Sequence, residues 1–174
     1  TYSEITSKIT VCCATDGNHG RSVAWGAQKF GCNCEIYIHR TVSVAREEAI
    51  AKYGAIVNRI KGNYDESVHI AAEVSESNGY YVVSDTSYEG YTDIPKDVMQ
   101  GYTVMVDEAM KQMEEVPTHV FLQGGVGGFP AAVVSYLVES LECPPIFIVV
   151  EPTNADCLFQ SAVNGEPTVI HGDL

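Results

Sequence analysis

The sequence predicts an α/β fold built from open, mostly parallel twisted sheets with helices on both faces. Two observations carry this. Short apolar runs rich in β-branched residues alternate with stretches whose apolar residues recur every three or four positions. The runs are also nearly continuous rather than alternating with polar residues, which suits parallel strands covered on both faces.

The elements follow in order. Ile9–Ala14 (ITVCCA) reads as a first strand and Arg21–Phe30 as a helix with Val23, Ala27 and Phe30 on one stripe, stopped by Gly31. Glu35–His39 is a second strand, and Ser43–Tyr53 a helix ending at Gly54. Ala55–Ile60 is a third strand. Asn63, with Glu66 three residues on, forms a capping box that opens a helix through Ser75. After the polar, aromatic stretch Ser84–Thr92 comes the longest stripe: Ile94, Val98, Tyr102, Met105, Ala109 and Met113, with Pro95 in its first turn and Pro117 beyond its end. His119–Leu122 and Ile146–Val150 are the last two strands, separated by a helix containing Pro130. The unpatterned stretch marks a domain boundary, giving residues 1–84 and 85–174.

Composition narrows the function. Ten basic against 23 acidic residues leave a net charge of −13 over 174 residues. Such a surface repels phosphate backbones and anionic lipid, so neither nucleic acid nor a membrane is an expected partner. No apolar run approaches the roughly 20 residues that cross a bilayer. The six cysteines are an adjacent pair (Cys12, Cys13), a near pair (Cys32, Cys34) and two single residues, with no Cys-x-x-Cys unit. That spacing argues against a zinc site and for reduced thiols in a cytoplasmic protein.

Two loops carry chemistry. Thr15-Asp16-Gly17-Asn18-His19-Gly20 lies between a strand and a helix, where open α/β sheets bind ligands. Its glycines allow a sharp turn, and the helix start offers unpaired amide hydrogens. Two readings stand on spacing alone: a ligand loop, or a helix cap made by Asp16 or Asn18. The second loop, Gly124-Gly125-Val126-Gly127-Gly128, places four glycines in five residues before a helix start and reads as a backbone cradle for phosphate. It lacks the lysine of a nucleoside-triphosphate loop, and its spacing differs from the dinucleotide fingerprint.

A phosphate cradle paired with a loop presenting Asp and Asn suggests a phosphorylated organic cofactor. TDGNHG with the following RSVAWGAQKFGCNCEIYI resembles the asparagine loop of pyridoxal-phosphate enzymes of the tryptophan synthase β fold type (fold type II). GGVGG resembles their phosphate cradle, and Val150-Glu151-Pro152 the strand end that follows it. The resemblance spans nearly the whole chain. It implies pyridoxal 5'-phosphate as cofactor, Asn18 against the pyridine ring hydroxyl, and Gly124, Gly125, Val126, Gly127 and Gly128 around the phosphate. Residues 1–84 then correspond to most of the small domain, and 85–174 to part of the large, cofactor-binding domain.

Serine and threonine dehydratases of that group usually carry serine where this chain has Asp16. Asp16 together with SDTSYEGYTDIPKDVMQGY is similar to the diaminopropionate ammonia-lyases, which convert D- or L-2,3-diaminopropionate to pyruvate and ammonia. The resemblance matches that family's two active-site aspartates to Asp16 and Asp85. Asp16 is the expected base for one enantiomer. Asp85 is expected to bind the substrate's β-ammonium group, with Tyr88 as a further substrate contact. The expected partner is a small amino acid, and the expected assembly a homodimer. A serine/threonine dehydratase and a non-catalytic phosphate-binding module are the alternatives.

In that group the lysine that holds the cofactor covalently lies upstream of the asparagine loop. Here Lys8 precedes a strand, while Lys29, Lys52, Lys61, Lys96 and Lys111 fall on helix faces, a helix end or a loop. The sequence therefore reads as the middle of a longer enzyme, inactive by itself, with exposed core surface that favours association. Among the remaining residues, His19 is expected to stabilise its loop and Trp25 to sit in the core. Glu151 is expected to face the cofactor ring. His39, His69, His119 and His171 are expected at surfaces or strand ends.

Overall fold

Cys12 and Cys13 are neighbours on one strand, so their side chains point to opposite faces of the sheet. Both are fully buried, and they seed two separate cores. The structure is a computed structural model that describes residues 1–168 and residue 170. It forms two compact units that divide between Ser84 and Asp85.

The first unit runs α1 (Tyr2–Thr6), β1 (Thr10–Ala14), α2 (Asn18–Phe30), β2 (Asn33–Ile38), α3 (Val44–Ala51), β3 (Ile56–Arg59), α4 (Tyr64–Asn78) and β4 (Tyr81–Val82). Its four strands are all parallel, in the order β3-β2-β1-β4. The chain winds outward from β1 to β3 and then returns to the far side of β1. Crossovers of a single hand therefore place α2 and α3 on one face and α4 on the other. Ala24 and Ala27 of α2 and Ile50 of α3 pack with Cys13, Ile36 and Ile38, whereas Ala71 of α4 packs with Cys12 and Tyr37. The winding reverses beside β1, and there the loops at the carboxyl ends of neighbouring strands diverge into a crevice.

Local signals explain most of these elements. The Asn63 capping box is present: its side chain accepts from the Glu66 amide at 3.0 Å, and the Glu66 carboxylate accepts from the Asn63 amide at 2.9 Å. Three expectations are corrected. The helix expected from Arg21 begins at Asn18, one turn earlier. Trp25 is 50% exposed rather than in the core, because the small residues Ala24 and Ala27 occupy the side of α2 that faces the sheet. Its ring instead lies under the Lys29 ammonium, 5.1 Å from the ring centre. Strand β4, absent from the sequence reading, pairs with β1 over only two residues and is too short to show a period.

The second unit comprises α5 (Asp93–Gln112), β5 (His119–Gln123), α6 (Gly128–Ser140), β6 (Ile146–Val150) and α7 (Cys157–Asn164). β5 and β6 pair in parallel, and α5 and α6 cover one face, where Val106, Leu122, Val133 and Leu137 form the core. The expectation of two covered faces does not hold here. Phe121 is 68% exposed, and Ile146 and Val150 on the same face are exposed with it.

Candidate active site

The loop after β1 is built around Thr15. This side chain is buried, and its hydroxyl accepts hydrogen bonds from the amides of Gly17 and Gly20, each at 3.0 Å. Thr15 therefore supplies the acceptor that an N-cap side chain would normally provide, since the N-cap residue of α2 is Gly17. Neither Asp16 nor Asn18 caps the helix, so both side chains stay available. The same turn explains Gly20: a Cβ there would lie 2.3 Å from the Thr15 methyl.

Both strands beside β1 brace this loop. From the end of β2, His39 donates its Nε2 hydrogen to Asp16 Oδ1 at 2.7 Å. From the end of β4, the Val83 carbonyl accepts from His19 Nε2, also at 2.7 Å. His19 thus has the loop-stabilising contact expected of it. Arg46 of α3 adds a third hold, donating from Nη1 to the Asp16 carbonyl at 3.3 Å. Asn18 opens α2 and lines an open cleft of about 380 Å³ with Arg21, Ser22, Trp25 and Tyr53.

In the second unit the glycine loop joins β5 to α6. Its Gly124 amide donates to the Val150 carbonyl at 2.8 Å, which fixes the loop to the strand pair. No side chain caps α6, whose N-cap residue is Gly127. The first amides of that helix and its positive dipole end remain open to an anion. A Cβ at Gly124 would lie 2.6 Å from Glu151 Cγ, so the loop rests directly on that side chain. Glu151 does not act as the sequence suggested. Its carboxylate accepts from the Leu158 and Phe159 amides at 3.0 and 2.8 Å and caps α7.

Asp85 belongs to the same unit as the glycine loop. Its carbonyl oxygen lies 3.7 Å from the position a Cβ on Gly128 would take. Burial raises the Tyr102 hydroxyl's pKa above the usual phenol range, and the Asp85 charge raises it further. Tyr88 sits in a tight hairpin with Tyr91. The two residues exchange backbone hydrogen bonds, and their rings stack 4.9 Å apart. Asp16 and Asn18 thus stand in the first unit, and Asp85, Tyr88 and Gly124–Gly128 in the second.

Residues 3–173 match the family described as pyridoxal-phosphate dependent enzymes. The chain belongs to that family. Among curated members, it is 42% identical to the diaminopropionate ammonia-lyase of Escherichia coli over 98% of its own length and 44% of that enzyme's. It is 30% identical to the biosynthetic threonine dehydratase 1 of Solanum lycopersicum, covering 92% of this chain and 25% of that one. A crystal structure of the E. coli ammonia-lyase in complex with D-serine superposes with a TM-score of 0.88 at 42% identity, covering 95% of this chain and 44% of that one. The chain therefore spans less than half the length of the ammonia-lyase it matches, and the fold type II architecture expected from the sequence is present.

The residues of this family member fit the cofactor's chemistry. A phosphate dianion needs several converging amide hydrogens and no nearby carboxylate. The glycine loop supplies the amides, and Glu151, which packs against Gly124, has turned its carboxylate into the α7 N-terminus. Sequence reasoning missed Thr15, His39, Arg46 and Glu151 as shapers of these loops. His39 carried a faint signal as the last residue of a predicted strand, at the edge where such sheets bind ligands.

Proposed function

We propose that this chain carries the cofactor- and substrate-facing loops of a lyase that eliminates ammonia from 2,3-diaminopropionate and yields pyruvate and a second ammonia. One observation carries the reading. At the carboxyl end of β1, Asp16 is held at one oxygen by His39 and at its carbonyl by Arg46, which presents a fixed carboxylate beside Asn18. Dehydratases of this group usually have serine at that place. The 42% identity to a diaminopropionate ammonia-lyase, against 30% to a threonine dehydratase, supports the same choice.

The bound cofactor supplies an electron sink for the carbanion at the substrate's Cα. The chain's own residues do the rest. Gly124–Gly128 would hold the phosphate through their amide hydrogens, and Asn18 would donate to the ring oxygen. Asp16 takes the Cα proton of the D-enantiomer. Asp85 binds the substrate's β-ammonium group, which selects diaminopropionate over serine, and Tyr88 lines that approach. The enzyme is taken to be a cytoplasmic homodimer. The spacing of the six cysteines, with no Cys-x-x-Cys unit, supports the first part.

Enantiomer-resolved kinetics on the full-length, cofactor-loaded enzyme test the reading. Removal of a positioned base costs about 10²–10⁴-fold, and Asp16→Asn is expected to impose that loss on D-2,3-diaminopropionate alone. Equal loss for both enantiomers removes the assignment. Asp85→Ala is expected to lower the turnover of diaminopropionate relative to D-serine by about tenfold or more, the worth of one charged hydrogen bond. An unchanged ratio removes the recognition role.

A further inference from the structure

Asp16 is 59% exposed at its side chain, yet one oxygen is held at 2.7 Å by a ring whose own side chain is only 10% exposed. An exposed carboxylate on a loop ordinarily samples several rotamers, and holding one of them costs side-chain entropy. The structure meets that cost with a preformed support. His39 is itself held by three neighbours, one of them braced in turn by α3. On its own loop, the Thr41 hydroxyl lies 2.9 Å from Nδ1. From α4, the Tyr64 ring meets it edge-on at 6.4 Å between centres. From β3, Arg59 Nη1 donates to the carbonyls of His39, Arg40 and Val42 at 3.2, 3.0 and 2.8 Å. From α3, Glu47 holds that guanidinium at 2.6 Å.

We propose that His39 is a positioning residue for the Asp16 carboxylate: it ties down Oδ1 and leaves Oδ2 as the oxygen that faces the substrate. The inference rests on the reading of Asp16 as a base. The tautomer follows from chemistry, because an ionised carboxylate only accepts. The ring therefore donates from Nε2, and in its neutral form this leaves Nδ1 to accept from Thr41. The result is a chain of donors running Thr41 to His39 to Asp16, with Arg59 anchoring the loop beneath it. A base fixed at one oxygen has a single orientation toward the Cα hydrogen, which raises kcat without altering substrate binding.

Two measurements decide it. The first does not depend on activity. In ¹⁵N-resolved NMR spectra of the full chain, the His39 Nε2 hydrogen is expected as a distinct, slowly exchanging signal that disappears in Asp16→Ala. A fast-exchanging ring in the unaltered protein, or a signal indifferent to Asp16→Ala, overturns the proposal. The second uses the full-length, cofactor-loaded enzyme. His39→Leu is expected to lower kcat for D-2,3-diaminopropionate by about ten- to a hundredfold, the scale of a misplaced catalytic group, with KM and the L-enantiomer little changed. His39→Gln, which keeps a donor near the Nε2 position, should restore most of that loss. Thr41→Val, a shape-conserving change, should reproduce a milder version of the same enantiomer-selective loss. Equal losses for both enantiomers, or failure of His39→Gln to restore turnover where His39→Leu stays folded, overturn the proposal. Should Asp16→Asn itself prove indifferent to enantiomer, the base reading falls, while the NMR signal still decides whether His39 holds the carboxylate.

Discussion

At Thr15 two atoms of one side chain set the shape of the asparagine loop. The hydroxyl accepts from the Gly17 and Gly20 amides, and the methyl occupies the space that any larger residue at position 20 would need. Gly20→Ala is expected to cost about 1–3 kcal/mol, the scale of overpacking a tight site. Thr15→Val keeps the shape but strands two amide hydrogens, at about 1–3 kcal/mol for a buried donor left unsatisfied. Urea unfolding midpoints at unchanged slope measure both. Thr15→Ser keeps the hydroxyl and removes the methyl, so it should recover part of the Gly20→Ala loss, and a double-mutant cycle reads that coupling. The glycines and acids of this loop are legible in the sequence because their residue types are unusual at such a place. Thr15 is not, because its use depends on a turn that brings residue 20 back over residue 15.

Most elements that carry their own boundary signals were readable, although α1, with its capping box between Thr1 and Glu4, was not read, and elements bounded from elsewhere were not. Helix α4 holds its capping box within four residues, Asn63 to Glu66, and α2 ends at Gly31, whose left-handed backbone closes it. Helix α7 ends at a left-handed glycine too, Gly165, but its start has no local signal. Its N-cap residue Asp156 makes no side-chain cap, and the acceptor for its first amides comes from Glu151, at the end of β6. Glu151→Ala is expected to cost about 1–2 kcal/mol, as for loss of an N-cap, and to speed hydrogen exchange at Leu158 and Phe159. Exchange unchanged at those two amides contradicts the capping role. The α5–α6 pair has its own electrostatic seam. Lys111 and then Tyr136, both donating to Asp107 at 2.6 and 2.9 Å, hold its carboxyl below the usual carboxylate range. A group with a depressed folded value stabilises above its unfolded pKa and loses that contribution as pH falls through the folded one. Acid below about pH 4 should therefore loosen the contact between these helices, and Asp107→Asn should remove that part of the acid dependence. Hydrogen exchange along α5 follows it.

For the whole molecule, two large-scale properties oppose each other. The net charge of −13 drives copies apart, while the uncovered face of the β5–β6 pair, with Phe121, Ile146 and Val150 exposed, favours burial against another surface. The sequence made the charge evident, and it made the strands evident too. The exposed core surface it led us to expect could not be placed on this pair, because a continuous apolar run looks the same whether one face or both are covered. Each apolar square ångström removed from water contributes roughly 25 cal/mol, whereas repulsion between exposed charges falls off beyond a Debye length of about 10 Å at 0.1 M salt. Raising the ionic strength from a few millimolar to 0.5 M should therefore weaken the repulsion and leave the apolar attraction intact. Sedimentation velocity on the chain is expected to show its weight-average mass rising with salt. Phe121→Glu, placing a charge at the centre of the bare face, should abolish that rise without changing the unfolding midpoint, since residue 121 packs against little in the folded chain. A mass that stays constant across the salt series, or a Phe121→Glu variant that associates as the unaltered chain does, would show that this face does not drive association.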